Sequence, residues 1–275
     1  MTDAAAPGRL SSRVPTVLIT GASSGIGREL ARLFARDGFA LVLVSRQQER
    51  LAGVAGELRK AHGASVTTIP ADLTVPAEVD RLLSTLTGSD IRVDVLVNNA
   101  GFGGAGRFAD TPLADELAMI ALNAGAVVQL TKRLLPGMLE KRRGRILNVA
   151  STAAFQPGPY QAVYFATKAF VLSFSEAIAE ELRDTGITVT TLCPGPTDTG
   201  FAERARFMPS PMMGARMDAR SVAETAYTAT LRGERLVVPG VVNKMHAQAV
   251  RLTPRRLLAR LAGAAQQRRL PPDDS

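Results

Sequence analysis

Cysteine is nearly absent: Cys193 is the only one in 275 residues, so no intrachain disulfide can form. That fits a reducing compartment. Tryptophan is missing and aromatic residues make up only 5% of the chain. The core must then be Ala, Val, Leu and Ile, which suits helices packed on a buried parallel sheet. A long apolar run is missing too. The longest uncharged stretch, 146–167, carries Asn148, Gln156, Pro157, Pro159 and Gln161, and makes a poor membrane span. The opening MTDAAAPGRL has no apolar signal core, so the expected location is the cytoplasm. His62 and His246, the two histidines, belong to no motif and are expected at the surface. The net charge of +8 is uneven: residues 241–275 hold seven Lys/Arg against two Asp. A basic balance of this kind is general solubility or weak polyanion attraction. No nucleic-acid motif accompanies it, and no nucleic-acid partner is expected.

What is present is an alternation of strands and helices. Pro15 to Thr20 is a short β-branched run, and Gly21-Ala22-Ser23-Ser24-Gly25-Ile26-Gly27 follows at once, ahead of a helix over Arg28 to Asp37. A glycine turn between a strand and a helix N-terminus lets backbone N–H groups approach a phosphate, and the helix dipole attracts the anion. Further strands are expected at 40–45, 65–70, 93–97, 145–149, 187–192 and 235–238, with helices between them. Thr111-Pro112, with Asp115 and Glu116, marks one helix start, and Ser221 with Glu224 a capping box for another. The expected fold is one α/β domain: a doubly wound, Rossmann-like parallel sheet with helices on both faces. It spans 15–240, after a flexible leader at 1–14 and before a basic amphipathic tail at 241–275. Ligands bind such sheets beyond the C-terminal strand ends. The glycine turn, Arg46, Asp72, Asn99, Ser151 and Pro194 all fall there.

Ser151 stands thirteen residues before Tyr164, and Lys168 follows Tyr164 by four. On a helix, Tyr164 and Lys168 share a face one turn apart. An ammonium beside a phenol lowers the phenol's pKa and makes it a usable proton donor or acceptor. Ser151 can donate to an oxygen on which negative charge develops. Together they describe acid–base chemistry at a carbonyl or alcohol. Cys193 reads as a small buried residue rather than a nucleophile.

With these pieces in order, the chain resembles the short-chain dehydrogenase/reductase family. The resemblance is carried by Thr20 to Gly27, Asp72, Asn98-Asn99-Ala100-Gly101, Asn123, Ser151, Tyr164 with Lys168, and Pro194-Gly195. It implies a nicotinamide cofactor, hydride transfer and Tyr164 as the acid/base. It also implies that Lys168 holds the nicotinamide ribose, Ser151 polarises the substrate carbonyl, and Asn123 holds a water on the proton path. Asp72 and Leu73 would meet the adenine, Asn99 to Gly101 would line the cofactor cleft, and Pro194 to Thr199 would pass the carboxamide. Thr197 departs from the family's usual aliphatic residue. The expected assembly is a homodimer or homotetramer.

NAD-selecting folds of this kind place an acid at the end of the second strand. Here that position reads Ser45-Arg46. Arg46 can pair with a 2′-phosphate, so NADP(H) is expected over NAD(H). Residues 200–220 hold four of the eight methionines and read as a lid over a hydrophobic carbonyl or alcohol substrate, with Phe155, Gln156 and Tyr160 as the opposite wall. The tail reads as a membrane-surface contact, a dimer contact, a lid, or helices packed on the body. A redox-sensing protein that binds NADP without turnover is the alternative function.

Overall fold

The computed structural model describes residues 13–200 and 216–267. Strands β1 (Thr16–Thr20), β2 (Ala40–Ser45), β3 (Val66–Pro70), β4 (Val95–Asn98), β5 (Gly144–Val149) and β6 (Ile187–Leu192) pair in parallel. Two short strands, β7 (Thr197–Asp198) and β8 (Met217–Asp218), pair with each other, and β9 (Leu236–Val237) adds to β6. The main sheet runs β3-β2-β1-β4-β5-β6-β9. The order reverses between β1 and β4, which opens a crevice at their C-terminal ends.

The uninterrupted runs TVLIT and ALVLVS form strands buried on both faces. Alternate side chains feed two cores. Val17, Ile19, Leu41 and Leu43 pack against helices α1 (Gly25–Arg36), α2 (Gln48–His62) and α6 (Ala219–Arg232). Leu18, Val42 and Val44 pack against α3 (Pro76–Gly88), α4 (Leu113–Glu140) and α5 (Ala162–Glu181). By length and composition alone, α4 and α5 could cross a membrane; here both cover the sheet. A buried polar chain ties this face together. Asn98 Nδ2 donates to Asn148 Oδ1 at 2.8 Å and to Thr131 Oγ1 at 3.2 Å. Asn148 Nδ2 donates to Ser175 Oγ at 2.8 Å. Full pairing of this kind makes a polar core specific rather than costly.

The ends of several elements differ from the sequence reading, each for a local reason. Helix α1 begins at Gly25, not Arg28, because the turn is spent once Gly25 has taken its positive φ of 56°. Helix α4 starts without a Thr111 cap, since that hydroxyl donates to the Phe108 carbonyl at 3.2 Å. It then continues through Pro136 to Glu140, interrupted by a π turn at Ala121–Gly125. Tyr160 has φ of 64°, outside the helical region, and α5 begins two residues later, at Ala162. The Ser221–Glu224 box is replaced: Asp218 caps α6, its carboxylate accepting from the Ser221 N–H at 3.1 Å. Beyond β9 the chain forms α7 (Val241–Leu252) and α8 (Arg255–Gln267), broken at Pro254. The methionine-rich stretch read as a lid falls mostly in 201–215, outside the described residues, as does most of the leader.

Candidate active site

One cleft of about 910 Å³ runs along the C-terminal strand ends. Its lining brings together Gly21, Ser23, Ser24, Gly25 and Ile26 from the turn after β1, with Arg46 after β2 and Asp72 and Leu73 after β3. Asn99, Ala100 and Gly101 follow β4, Ser151 follows β5, and Pro194, Gly195, Thr197 and Thr199 follow β6. Tyr164 and Lys168 reach it from α5. Parallel strands all end on one side of the sheet, so residues far apart in the chain meet there.

Gly27 is not part of this lining. A Cβ there would sit 2.4 Å from the Gly21 carbonyl oxygen and 2.5 Å from Asn99 Nδ2. It lets α1 seat against β1 and β4 instead of facing a ligand. Asn99 does both: it lines the cleft, and its Nδ2 donates to the Thr20 and Gly21 carbonyls at 2.9 and 3.3 Å. Gly21 holds φ of 66° with no room for a Cβ beside Asn99 and Ala100. The result is a tight, backbone-lined cradle ahead of the α1 N-terminus, which suits a phosphate.

Arg46 is 65% exposed in its side chain, and Nη1 lies 3.9 Å from Asp72 Oδ2, a loose contact that leaves the guanidinium available. Asp72 is held by its own turn: Oδ1 accepts from the Thr74 N–H at 3.0 Å and the Thr74 hydroxyl at 2.7 Å. Against the upward push of partial burial, those bonds and the Arg46 charge keep Asp72 below the ordinary carboxylate range.

Ser151 caps a short 3₁₀ turn, Thr152–Phe155, with Oγ accepting from the Ala153 N–H at 3.1 Å. Its hydroxyl also bonds the Tyr164 phenol. Lys168 is 5% exposed, and Nζ donates to the Val149 carbonyl at 2.9 Å. Nζ stands 5.9 Å from the Tyr164 ring centre, at the outer limit of a cation–π contact. The expected acidification of the phenol is not met in this geometry. Burial pushes Tyr164 up to about 12, with the Ser151 bond working the other way. Burial brings Lys168 down to about 8, opposed by the neighbouring Cys193. Removal from water outweighs a charge that is directed elsewhere.

Asn123 sits in the π turn of α4, 1% exposed and beneath the cleft rather than in its lining. Its amide is spent on structure: Oδ1 accepts from the Phe102 N–H at 3.1 Å, and Nδ2 donates to the Phe102 carbonyl at 2.8 Å and to Thr167 Oγ1 at 3.2 Å. Asn123 Oδ1 also leaves no space for a Cβ at Gly101, 2.9 Å away.

Of the wall expected from Phe155, Gln156 and Tyr160, only Gln156 lines the cleft. Phe155 turns into a small core with Val171 and Ala150. The tail contributes to the cleft in the manner of its lid reading, through residues the sequence did not single out: Val242, Asn243, His246 and Gln266 all line it. His246 is exposed, as expected, but exposed into the site. Helix α7 is seated by Asn243, whose Oδ1 would lie 2.4 Å from a Cβ on Gly195 and whose Nδ2 donates to the Pro239 carbonyl at 2.8 Å. A polar residue on the apolar stripe of α8, four residues past Ala262 and eight past Leu258, was the available signal for Gln266.

A glycine cradle at a helix N-terminus, in the crevice of a parallel sheet whose order reverses there, defines a dinucleotide-binding α/β protein. The Ser151–Tyr164–Lys168 group in the same cleft adds proton chemistry. A family profile described as short chain dehydrogenase matches residues 15–209. Ketoacyl reductase HetN from Nostoc sp. is 34% identical over 215 residues, covering 78% of this chain and 74% of that protein. A very-long-chain 3-oxoacyl-CoA reductase from Laccaria bicolor is 39% identical over 180 residues; 64% of this chain spans about half, 52%, of that protein. Among solved structures, a short-chain dehydrogenase from Sphingobium yanoikuyae in complex with NADPH superposes with a TM-score of 0.79 at 35% identity, covering 86% of this chain and 92% of that one. The chain belongs to the short-chain dehydrogenase family and is an NAD(P)-dependent oxidoreductase.

Proposed function

We propose that the protein is an NADP-dependent reductase that converts a ketone on a largely hydrophobic substrate to a secondary alcohol. The observation that carries this is the Ser151–Tyr164 hydrogen bond placed in the same cleft as the glycine cradle. When bound, the nicotinamide supplies a hydride to the carbonyl carbon. Ser151 holds the carbonyl oxygen, and Tyr164 gives it a proton. A phenol raised to about 12 is protonated at neutral pH, which favours the reducing direction, and an alkoxide is basic enough to take that proton. Lys168, largely protonated below about 8, offsets the charge left on Tyr164. Both amide hydrogens of Asn123 are engaged, by the Phe102 carbonyl and the Thr167 hydroxyl, so its side chain has no N–H left to donate to a water on the proton path. The names of the relatives, which act on ketoacyl groups, support a 3-oxoacyl or similar ketone. A panel of ketones and aldehydes followed by NADPH oxidation tests the reading: binding of NADPH without turnover of any member would favour the redox-sensing alternative.

Arg46 supports the cofactor preference. Its side chain is exposed at the end of β2 and only loosely held by Asp72. Charge-assisted bonds to a 2′-phosphate are worth about 1.5–3 kcal/mol, or roughly ten- to hundredfold in selectivity. Arg46→Ala is expected to bring the ratio of kcat/KM for NADPH over NADH close to one. A wild-type preference for NADH would overturn the assignment.

Two surfaces support assembly and membrane contact. On α4 and α5, Leu113, Leu117, Ile120 and Phe170 form an exposed apolar face that suits a homodimer. On α7 and α8, exposed Val241, Met245, Leu252, Leu257 and Leu261 stand among Lys244, Arg255, Arg256 and Arg260, a pattern that suits an anionic membrane surface. Sedimentation of wild type and Leu117→Glu, with and without anionic vesicles, reads both. The variant is expected as a monomer and the wild type as a dimer that pellets with vesicles; a monomeric wild type or an empty pellet removes the corresponding reading.

A further inference from the structure

Helices α7 and α8 close the Ser151–Tyr164 side of the cleft. Helix α7 lies against the 3₁₀ turn after Ser151, and α8 passes close enough to Pro159 that a Cβ on Gly263 would meet its ring at 3.5 Å. The wall they present is mixed: Val242 is apolar, while Asn243, His246 and Gln266 are polar. Asn243 is spent, donating to the Pro239 carbonyl and touching the Met217 sulfur at 3.4 Å. Gln266 differs. It is 7% exposed, and its Oε1 is shielded from solvent with no hydrogen-bond partner among the described residues. A buried amide oxygen left unpaired costs about 1–3 kcal/mol, so its presence calls for a donor. Helix packing alone does not require one, since a leucine would cover the same stripe.

We propose that Gln266 is a specificity-determining residue whose amide oxygen accepts a hydrogen bond from an N–H or O–H on the arm of the substrate. This rests on the carbonyl-reductase reading and narrows it. The substrate has an apolar portion and, away from the reacting ketone, an amide or hydroxyl donor. A purely hydrocarbon ketone leaves Oε1 unpaired in the closed cleft and is disfavoured on that account.

The test uses two matched probes with the full chain and NADPH: the N-acetylcysteamine thioester of 3-oxobutanoic acid, and the same compound methylated on the amide nitrogen. Wild type is expected to use the N–H probe about tenfold better in kcat/KM, mostly through KM. In Gln266→Leu the ratio falls to about one, and in Gln266→Glu, which keeps an acceptor, the preference persists. Because the readout is a ratio within one protein, general damage from a substitution cancels. Equal use of both probes by wild type, or an unchanged ratio in Gln266→Leu, overturns the proposal. If wild type binds NADPH yet reduces neither probe, the carbonyl-reductase reading of these thioesters fails first, and the proposal falls with it.

Discussion

Tyr164→Phe is expected to lower kcat by about a thousandfold or more while NADPH binding stays within about threefold of wild type. General acid catalysis by a positioned side chain is worth about 10² to 10⁴ in rate, and Ser151 remains in place to hold the oxygen. The phenyl ring keeps the edge-to-face contact with Phe165 at 5.9 Å, so the local packing is retained. A pH profile belongs with this experiment. Burial raises the phenol to about 12, so the proton donor stays loaded across the neutral and mildly alkaline range. Reduction in wild type is then not expected to fall through loss of the phenolic proton below about pH 11. Deprotonation of Lys168, brought down to about 8 by burial, is the step that should shape the profile near pH 8. Undiminished turnover in Tyr164→Phe, measured by NADPH oxidation on any accepted ketone, would falsify the mechanism.

The second large effect is structural. Gly27→Ala is expected to lower stability by about 4 kcal/mol and the melting temperature by about 10 °C. The new Cβ would lie 2.4 Å from a backbone oxygen and 2.5 Å from the Asn99 amide, and neither is the free end of a flexible chain. Helix α1 must tilt away from β1, and that opens the cradle as well. Weaker NADPH binding should therefore accompany the lower melting temperature. Gly25 is closed in a different way: a Cβ there would meet Thr199 Cβ at 2.8 Å, an atom that side-chain rotation does not move, and its φ of 56° disfavours any replacement. A melting temperature for Gly27→Ala within about 2 °C of wild type would show that the close seating is not required.

The strands were legible in the sequence because each is a short run rich in Val, Ile, Leu and Thr, closely followed by glycine, proline or polar residues. The expected 40–45 and 187–192 agree with β2 and β6 to the residue. Helix ends were less legible, because several hydrogen-bonding residues compete within one turn. At α6 the expected cap was Ser221, yet the Asp218 carboxylate three residues earlier takes that place. The π turn of α4 leaves no mark in a 3.6-residue pattern, since it shifts the register by one residue within an already apolar stretch. At the site, the motif residues fell in one cleft, whereas their protonation did not follow from spacing. A separation of four positions from Tyr164 to Lys168 guarantees a shared helix face; it does not say that Nζ turns to the Val149 carbonyl. The tail was least legible. An amphipathic pattern shows that a face is buried but not what it is buried against, so the lid stayed one of several readings of the tail, and of the lining residues only Gln266, polar on an apolar stripe, carried a signal.

The seating of Asn243 on Gly195 makes the far end of the chain answerable to the loop after β6. Any side chain at position 195 would wedge α7 outward and widen the substrate end of the cleft. Exchanging tails with a relative would thus transplant selectivity only when the donor segment brings a residue that fits over a bare glycine. Divergence at one end of the chain is tethered to constancy at a single position about fifty residues earlier.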